Sequence, residues 1–374
     1  MSLHTIQAAL AAAPQAARVP GYVAVARDGD GGEAVAVHGR RKADDPAPMT
    51  ADTVFWIASM TKLVTSIAAL QLVEEGVLAL DQPVAEVRPE FADLPILEGF
   101  DAAGAPRLRA ATDAPTVRHL LTHTSGLGYA FMDADLARYA EQAAVAPGQG
   151  HLLPRRFEAG ARWQYGTSTD WVGAIVETLA GKGLAEVLER RILGPLGMTD
   201  TSFAPTPDQQ ARKAAMHARQ PDGGLSPMDF AMPAPPYFAM GGGGLYSTGP
   251  DFMKLLAAIL DGAILSPASR ASLFANHAGD LDCGVLVSSN PAFTRDFDPA
   301  PGHAKRWSLG LMVNPNPGPD GRAAGSGAWA GLGNCYYWLD PSAGVAGVLL
   351  TQILPFADPD VLALFQVLER AVYG

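Results

Sequence analysis

Lys62 is the only charged residue between Asp52 and Glu74, in the stretch FWIASMTKLVTSIAALQLVEEG. Met60, Leu63, Val64, Ile67, Leu70 and Val73 cover several faces, so the pattern predicts a helix buried nearly all round. An unpaired ammonium inside a protein is costly and tends to shed its proton. A lysine kept there needs a reason. Ser59 and Lys62 stand three apart and share a helical face. Ser59 falls where the helix begins, at the positive end of its dipole, with its own N–H unused by the helix. A neutral Lys62 can take the hydroxyl proton, and the N-terminal N–H can hold the resulting oxyanion. The bland alternative makes Ser59 an N-cap and lets Lys62 reach solvent.

Two further clusters bear on that choice. In RWQYGTSTDWVGAIVE, Tyr165 precedes a helix and could share the proton traffic of Ser59 and Lys62. In GSGAWAGLGNCYYWLDP, small residues surround Trp329, and Gly331 and Gly333 would let a substrate approach the backbone closely.

The elements that must position these residues read as follows. Residues 4–17 predict a short helix that stops before Pro20-Gly21, and YVAVARDGDGGEAVAVHG predicts a hairpin. Helical patterns dominate from Leu80 to about Tyr237, as in TVRHLLTHTSG, DADLARYAEQAA, TDWVGAIVETLAGK and LAEVLERRILGPLG. A glycine run, Gly241–Gly244, leads into a helix with its N-cap region at Ser247-Thr248 and Pro250 behind it. WSLGLMV, AWAGLGNCYYWLD and GVAGVLLTQ alternate as strands do, and DPDVLALFQVLERAVYG predicts a closing helix. The expected fold is α+β: a central antiparallel sheet drawn from both termini, flanked by helices, with a mainly helical inserted region. All 374 residues would form one catalytic unit, with 1–80 plus 238–374 as the sheet part and 81–237 as the helical part.

The composition bounds the function. The chain is 48% hydrophobic with a formal net charge of −11, so it can bury a large core and has no basic footprint for nucleic acid. Its two cysteines, Cys283 and Cys335, form no Cys-x-x-Cys pair and read as buried free thiols. No apolar run reaches transmembrane length, and the first residues lack the build of a signal peptide. A bacterial cytoplasmic protein is expected, provided no leader has been removed.

Together these motifs resemble the serine β-lactamase-like group, on the branch of class C β-lactamases and related carboxylesterases. SMTK matches its Ser-x-x-Lys motif, YGT from Tyr165 its Tyr-x-Asn position, and WAG from Trp329 the place of Lys-Thr-Gly. HLLTHTSGL, ILGPLGMTDTSF and GGGGLYSTGPDFMKL match connecting segments, so the likeness spans roughly residues 15–370. The resemblance implies a β-lactamase/transpeptidase-like fold. It implies Ser59 as the acylated nucleophile, Lys62 and Tyr165 as the proton-transfer pair, and an oxyanion hole from the N–H groups of Ser59 and Leu332. Trp329, Ala330, Gly331 and Thr167 would meet substrate. Two departures stand out. Thr167 replaces an asparagine and Trp329 replaces a lysine, and both point away from efficient β-lactam hydrolysis.

The expected activity is therefore that of a carboxylesterase on short-chain esters, needing no cofactor or metal, with at most weak β-lactamase activity. The expected partner is a small ester, with neither nucleic acid nor membrane. The alternatives are a β-lactamase or D-alanyl peptidase, an oligoamide hydrolase or acyltransferase, and a non-catalytic penicillin-binding sensor. His119 and His123, four apart, read as capping and packing. Asp133/Asp135 and Asp296/Asp298 read as solvated loop charges. Gly241–Gly244 reads as tight backbone packing, and Trp163, Trp171 and Trp307 as core.

Overall fold

The computed structural model describes residues 4–146, 148–230, 232 and 240–374. The chain opens with α1 (His4–Ala12), then the hairpin of β1 (Gly21–Arg27) and β2 (Glu33–Gly39). The hairpin turn is held by Asp28, whose carboxylate accepts the N–H groups of Asp30 and Gly32. Next come β3 (Phe55–Trp56), a 3-10 turn at Ala58–Met60, and α2 (Thr61–Glu74). The middle of the chain holds α3 (Val84–Val87), β4 (Ile96–Phe100), β5 (Pro106–Arg109), α4 (Val117–Leu121), α5 (Ala134–Gln142) and α6 (Ser168–Ala180). It continues with α7 (Leu184–Leu188), which runs into a π-turn, then α8 (Pro207–Ala211), β6 (His217–Arg219) and β7 (Leu225–Pro227). The last third holds β8 (Tyr246–Ser247), α9 (Gly249–Leu260), α10 (Pro267–Phe274), β9 (Arg306–Trp307), β10 (Met312–Val313) and β11 (Gly327–Gly331). β12 (Cys335–Asp340), β13 (Val345–Leu350), β14 (Ile353–Leu354) and α11 (Pro359–Tyr373) close it.

The main sheet has seven strands in the order β2-β1-β13-β12-β11-β10-β9. All its pairings are antiparallel, and the two ends of the chain meet where β1 joins β13 with Val25 opposite Val348. This is the sheet from both termini that the alternating patterns predict. Both of its faces are covered. Tyr337, Val348 and Val25 share one face, where Phe252 of α9 meets the Tyr337 ring at 5.1 Å. Trp338, Gly347 and Ala26 share the other, where Phe365 of α11 lies 5.4 Å from Trp338. That double coverage buries β1, β12 and β13 along almost their whole length, so β12 and β13 are near-unbroken apolar runs and not the alternating strands expected.

Helix α2 is buried from Thr61 through Leu70, as its lack of a polar face requires, and it packs against α6 and α7. Thr248 caps α9 by accepting the Asp251 N–H, as its sequence suggests. The inserted region is less purely helical than its sequence reads. A β4–β5 hairpin lies in it, and so do β6 and β7, which form a small sheet with β14; outside it, β3 pairs with β8. These strands hold two to five residues, too few for alternation to show. The expected boundary between residues 237 and 238 lies outside the described residues.

Some surface charges expected to be solvated instead have partners. Asp133 caps α5 and, with Asp135, binds Arg156, while Asp298 binds Lys305. Both cysteines are buried and free. Among the described residues, no group of His, Cys, Asp and Glu could hold a metal ion, and no helix is long and apolar enough to cross a membrane.

Candidate active site

Ser59 sits in the 3-10 turn between β3 and α2, not at an N-cap. The turn is sharp. Ala58 adopts φ 46°, a left-handed conformation that alanine seldom takes. It is held there because Ile57 N–H bonds Leu245 O, and Thr61 Oγ1 donates to Ala58 O while accepting Leu245 N–H. Strand β11 presses on the same turn. A Cβ on Gly331 would come 2.2 Å from Ile57 O, so only glycine lets the strand pass this close to the serine.

Lys62 is 1% exposed. Its Nζ donates to Ser59 Oγ at 3.2 Å, to Tyr129 Oη at 2.9 Å and to Gly242 O at 2.6 Å. The structure thus brings Ser59 and Lys62 together as expected and rejects a solvent-seeking lysine. It also adds Tyr129, which the sequence reading passed over. Burial, reinforced by the nearby Asp170 and Tyr165, holds the Tyr129 hydroxyl well above its ordinary pKa of 10.0, so it stays protonated. The loop that carries Tyr129 is tied down by Arg155, which is 1% exposed, donates to Ser125 O and forms a two-pronged pair with Asp113. Ser125 Oγ in turn meets Ser168 Oγ at the start of α6.

Tyr165 approaches Lys62 with its ring, 4.8 Å from Nζ, and not with its hydroxyl. That hydroxyl accepts a 2.9 Å hydrogen bond from Trp329 Nε1. The indole N–H is therefore occupied by the protein. Behind the pair stands a cluster of rings: Trp307 is 4.5 Å from Trp329, and His123 is 4.9 Å from Tyr165. Burial, with the charge on Lys62, pushes His123 well below its usual pKa, so it packs as a neutral ring. His119 completes a capping box with Thr116 at α4. Trp163 and Trp307 also lie in this ring cluster, supporting Tyr165 from behind.

The glycine run forms one side of the site. Gly241 O accepts from Thr65, Gly242 O from Lys62 and Gly243 O from Trp56 Nε1. Gly242 N–H donates to Asp170 Oδ1 at 2.8 Å. Desolvation pushes the Asp170 carboxyl from 3.8 up to about 6, against the pull of Lys62 and the Gly242 N–H.

Ser59 opens into a cavity of about 470 Å³. Its wall is aromatic, with Trp56, Phe131, Phe230, Phe293, Phe297 and Phe356 around it. Trp329, Ala330, Gly331 and Leu332 line it beside Ser59. Thr167 does not line it. That residue is buried at the head of α6, and its hydroxyl has no hydrogen-bond partner among the described residues.

A sequence profile described as Beta-lactamase matches residues 6–371. The chain belongs to the beta-lactamase family. Within the family it is similar to monacolin J acid methylbutanoyltransferase of Aspergillus terreus, at 33% identity over 99% of this chain and 95% of that one. It is also similar to lovastatin esterase of Penicillium rubens, at 34% identity over 74% of this chain and 72% of the esterase. A solved structure of a simvastatin synthase mutant from Aspergillus terreus superposes with a TM-score of 0.86 at 32% identity, covering 98% of this chain and 97% of that one. Family membership and these neighbours make the chain a serine hydrolase or acyltransferase of the β-lactamase/transpeptidase fold, in agreement with the resemblance carried by SMTK, YGT and WAG.

Proposed function

We propose that the protein takes short acyl groups from neutral esters onto Ser59 and passes them either to water, as a carboxylesterase, or to an apolar alcohol, as an acyltransferase. The observation that carries this reading is the Lys62 amine 3.2 Å from a serine hydroxyl that faces a large aromatic cavity. In the first half-reaction the Ser59 proton moves to Lys62 as Oγ attacks the ester carbonyl carbon. The carbonyl oxygen takes the negative charge in reach of the Ser59 and Leu332 N–H groups. The C–O bond to the alcohol then breaks, and the departing alkoxide takes the proton from Lys62. The second half repeats these steps in reverse, with water or a new alcohol as the attacking group.

Lys62 is the base. The family resemblance gives Tyr165 the role of its proton partner, whereas the hydrogen bond in hand supports Tyr129. The cavity argues for a sizeable apolar alcohol moiety. It falls within the range of drug-sized pockets, so a short acyl group would leave most of it empty. Names of the relatives support both acceptors, since one is a methylbutanoyltransferase and another an esterase. A β-lactamase reading is disfavoured by Trp329, whose indole brings no cation for a substrate carboxylate.

The test is turnover of p-nitrophenyl butyrate with and without a bulky alicyclic alcohol. The expected result is steady release of p-nitrophenol, with a new butyrate ester formed when the alcohol is present. Ser59→Ala should abolish both. One stoichiometric burst without turnover would mark a non-catalytic sensor and overturn the proposal.

A further inference from the structure

Asp170 is the one charged side chain among the described residues that line the cavity. A carboxylate held away from bulk water is expensive. The first turn of α6 repays part of that cost, because a helix N-terminus favours negative charge. It does not account for where the carboxylate points. Asp170 Oδ1 reaches across to the N–H of Gly242, on a separate segment, and Gly242 is shaped to receive it. A Cβ there would lie 2.9 Å from Oδ1.

The same residue, Gly242, presents its carbonyl to Lys62 Nζ at 2.6 Å, the shortest of the three bonds that the amine makes. A carbonyl can only accept, so one N–H of Lys62 is fixed on Gly242. A neutral amine has two N–H bonds and one lone pair. With the second N–H on Tyr129, the lone pair is left facing Ser59 Oγ, which is the geometry a proton acceptor needs. Gly242 therefore sets the direction of the lone pair, and Asp170 sets Gly242.

Building on the function proposed above, we propose that ionised Asp170 is a positioning residue for Lys62, acting through Gly242. It holds the glycine so that the amine aims at Ser59, and its charge stabilises the ammonium once the serine proton has arrived. The titratable groups around it are Lys62 from α2, Tyr129 from the loop after α4, Tyr165 just ahead of α6, and His123 behind Tyr165. Burial keeps the Tyr129 hydroxyl protonated and the His123 ring neutral. Asp170, raised by desolvation to about 6, changes charge near that pH. Activity should be present above that pH and fall below it.

The test uses the full chain and Asp170→Asn. Asparagine keeps an oxygen to accept the Gly242 N–H but carries no charge. The readouts are kcat and KM on p-nitrophenyl butyrate and the rate at which a serine-directed phosphonate labels Ser59, each from pH 4.5 to 9. The expected result is a kcat lowered about 10- to 100-fold, KM within about threefold, slower labelling, and loss of the acid limb near pH 6. Thermal unfolding supplies a control of opposite sign. A carboxyl raised from 3.8 to about 6 on folding weakens the fold as pH climbs through that interval. The Asn variant should therefore be no less stable than the wild type at pH 7.5. Wild-type kcat with the acid limb unchanged would overturn the proposal, as would lost activity with that limb still present. If the phosphonate fails to label Ser59 in the wild type, the function proposed above falls and takes this inference with it. If Ser59 labels equally fast in both proteins, only the role of Asp170 falls.

Discussion

Lys62 spends three hydrogen bonds on one corner of the cavity, whereas the wall formed by Phe131, Phe230, Phe293 and Phe297 offers a substrate little but ring faces and edges. The corner is directional. Each partner of Lys62 belongs to a different segment, and each of those segments is pinned by further bonds, as Arg155 pins the Tyr129 loop. The wall is not directional. Methionines 132, 232 and 240 sit among its rings, and their flexible thioethers adapt to many shapes. The contrast teaches that the chemistry of this protein is specified by position and its choice of substrate by area. Substitutions in the corner should change kcat, and substitutions in the wall should change KM.

The hardest blow to the corner is Lys62→Arg. Guanidinium stays protonated and cannot accept from Ser59. A positioned base contributes about 10²–10⁴-fold, so kcat should fall by at least that range while circular dichroism stays unchanged. Near-normal turnover would show that Lys62 is not the acceptor.

Trp329 belongs to both regions, and its variant probes their border. Losing an ionic contact to a substrate carboxylate costs about 2–4 kcal/mol, or roughly 30- to 1000-fold. The ratio of kcat/KM for nitrocefin to that for p-nitrophenyl butyrate should be low in the wild type by about that factor. Trp329→Lys should raise the ratio from both sides. It supplies a cation, and it releases the Tyr165 hydroxyl from its bond to the indole. A ratio that does not move would show that this residue does not select the substrate.

The two tyrosines sharpen the comparison within the corner. Tyr129→Phe removes a hydroxyl bonded to Lys62 and should lower kcat about 10- to 100-fold. Tyr165→Phe removes a hydroxyl bonded, among the described residues, only to Trp329, yet the resemblance gives it the larger part. Whichever variant loses more in single-turnover acylation identifies the proton partner. The smallest expected effect lies in the wall: Phe131→Ala should raise KM for an ester of a bulky apolar alcohol about three- to tenfold, with kcat nearly unchanged. An equal fall in kcat would mean that the wall also orients the reacting ester.

Legibility in the sequence follows the same division. A lone lysine in a buried helix is a strong signal because burial of charge is costly, so Ser59 and Lys62 stood out. The strands β1, β12 and β13 are apolar along nearly their whole length because both sheet faces are covered, so alternation marks β12 and β13 less well than the sequence reading supposes. Tyr129 left no such trace, since its contact with Lys62 joins residues far apart in the chain and tyrosines are ordinary in loops. Asp170 falls in the first turn of α6, where acidic residues are commonplace, and its type and position alone do not set it apart. The glycine run was legible as close packing, but the direction of its carbonyls depends on backbone angles that composition does not encode. Strands of two residues, such as β3 and β8, are too short to have a period.

The closure of the sheet by β1 and β13 has a consequence for the life of the nascent chain. The first hairpin is synthesised almost at once, yet β1 must wait for a neighbour made near the end of translation. Ser59 and helix α2, which carries Lys62, emerge early, while β11, which completes the surroundings of Ser59, emerges late. Such long-range pairing makes folding slow and leaves apolar strand edges open meanwhile. If Ser59 is the nucleophile proposed above, it should become reactive in one late step, when the last strands dock, and ribosome-bound chains ending before residue 327 should be inert to a serine-directed probe.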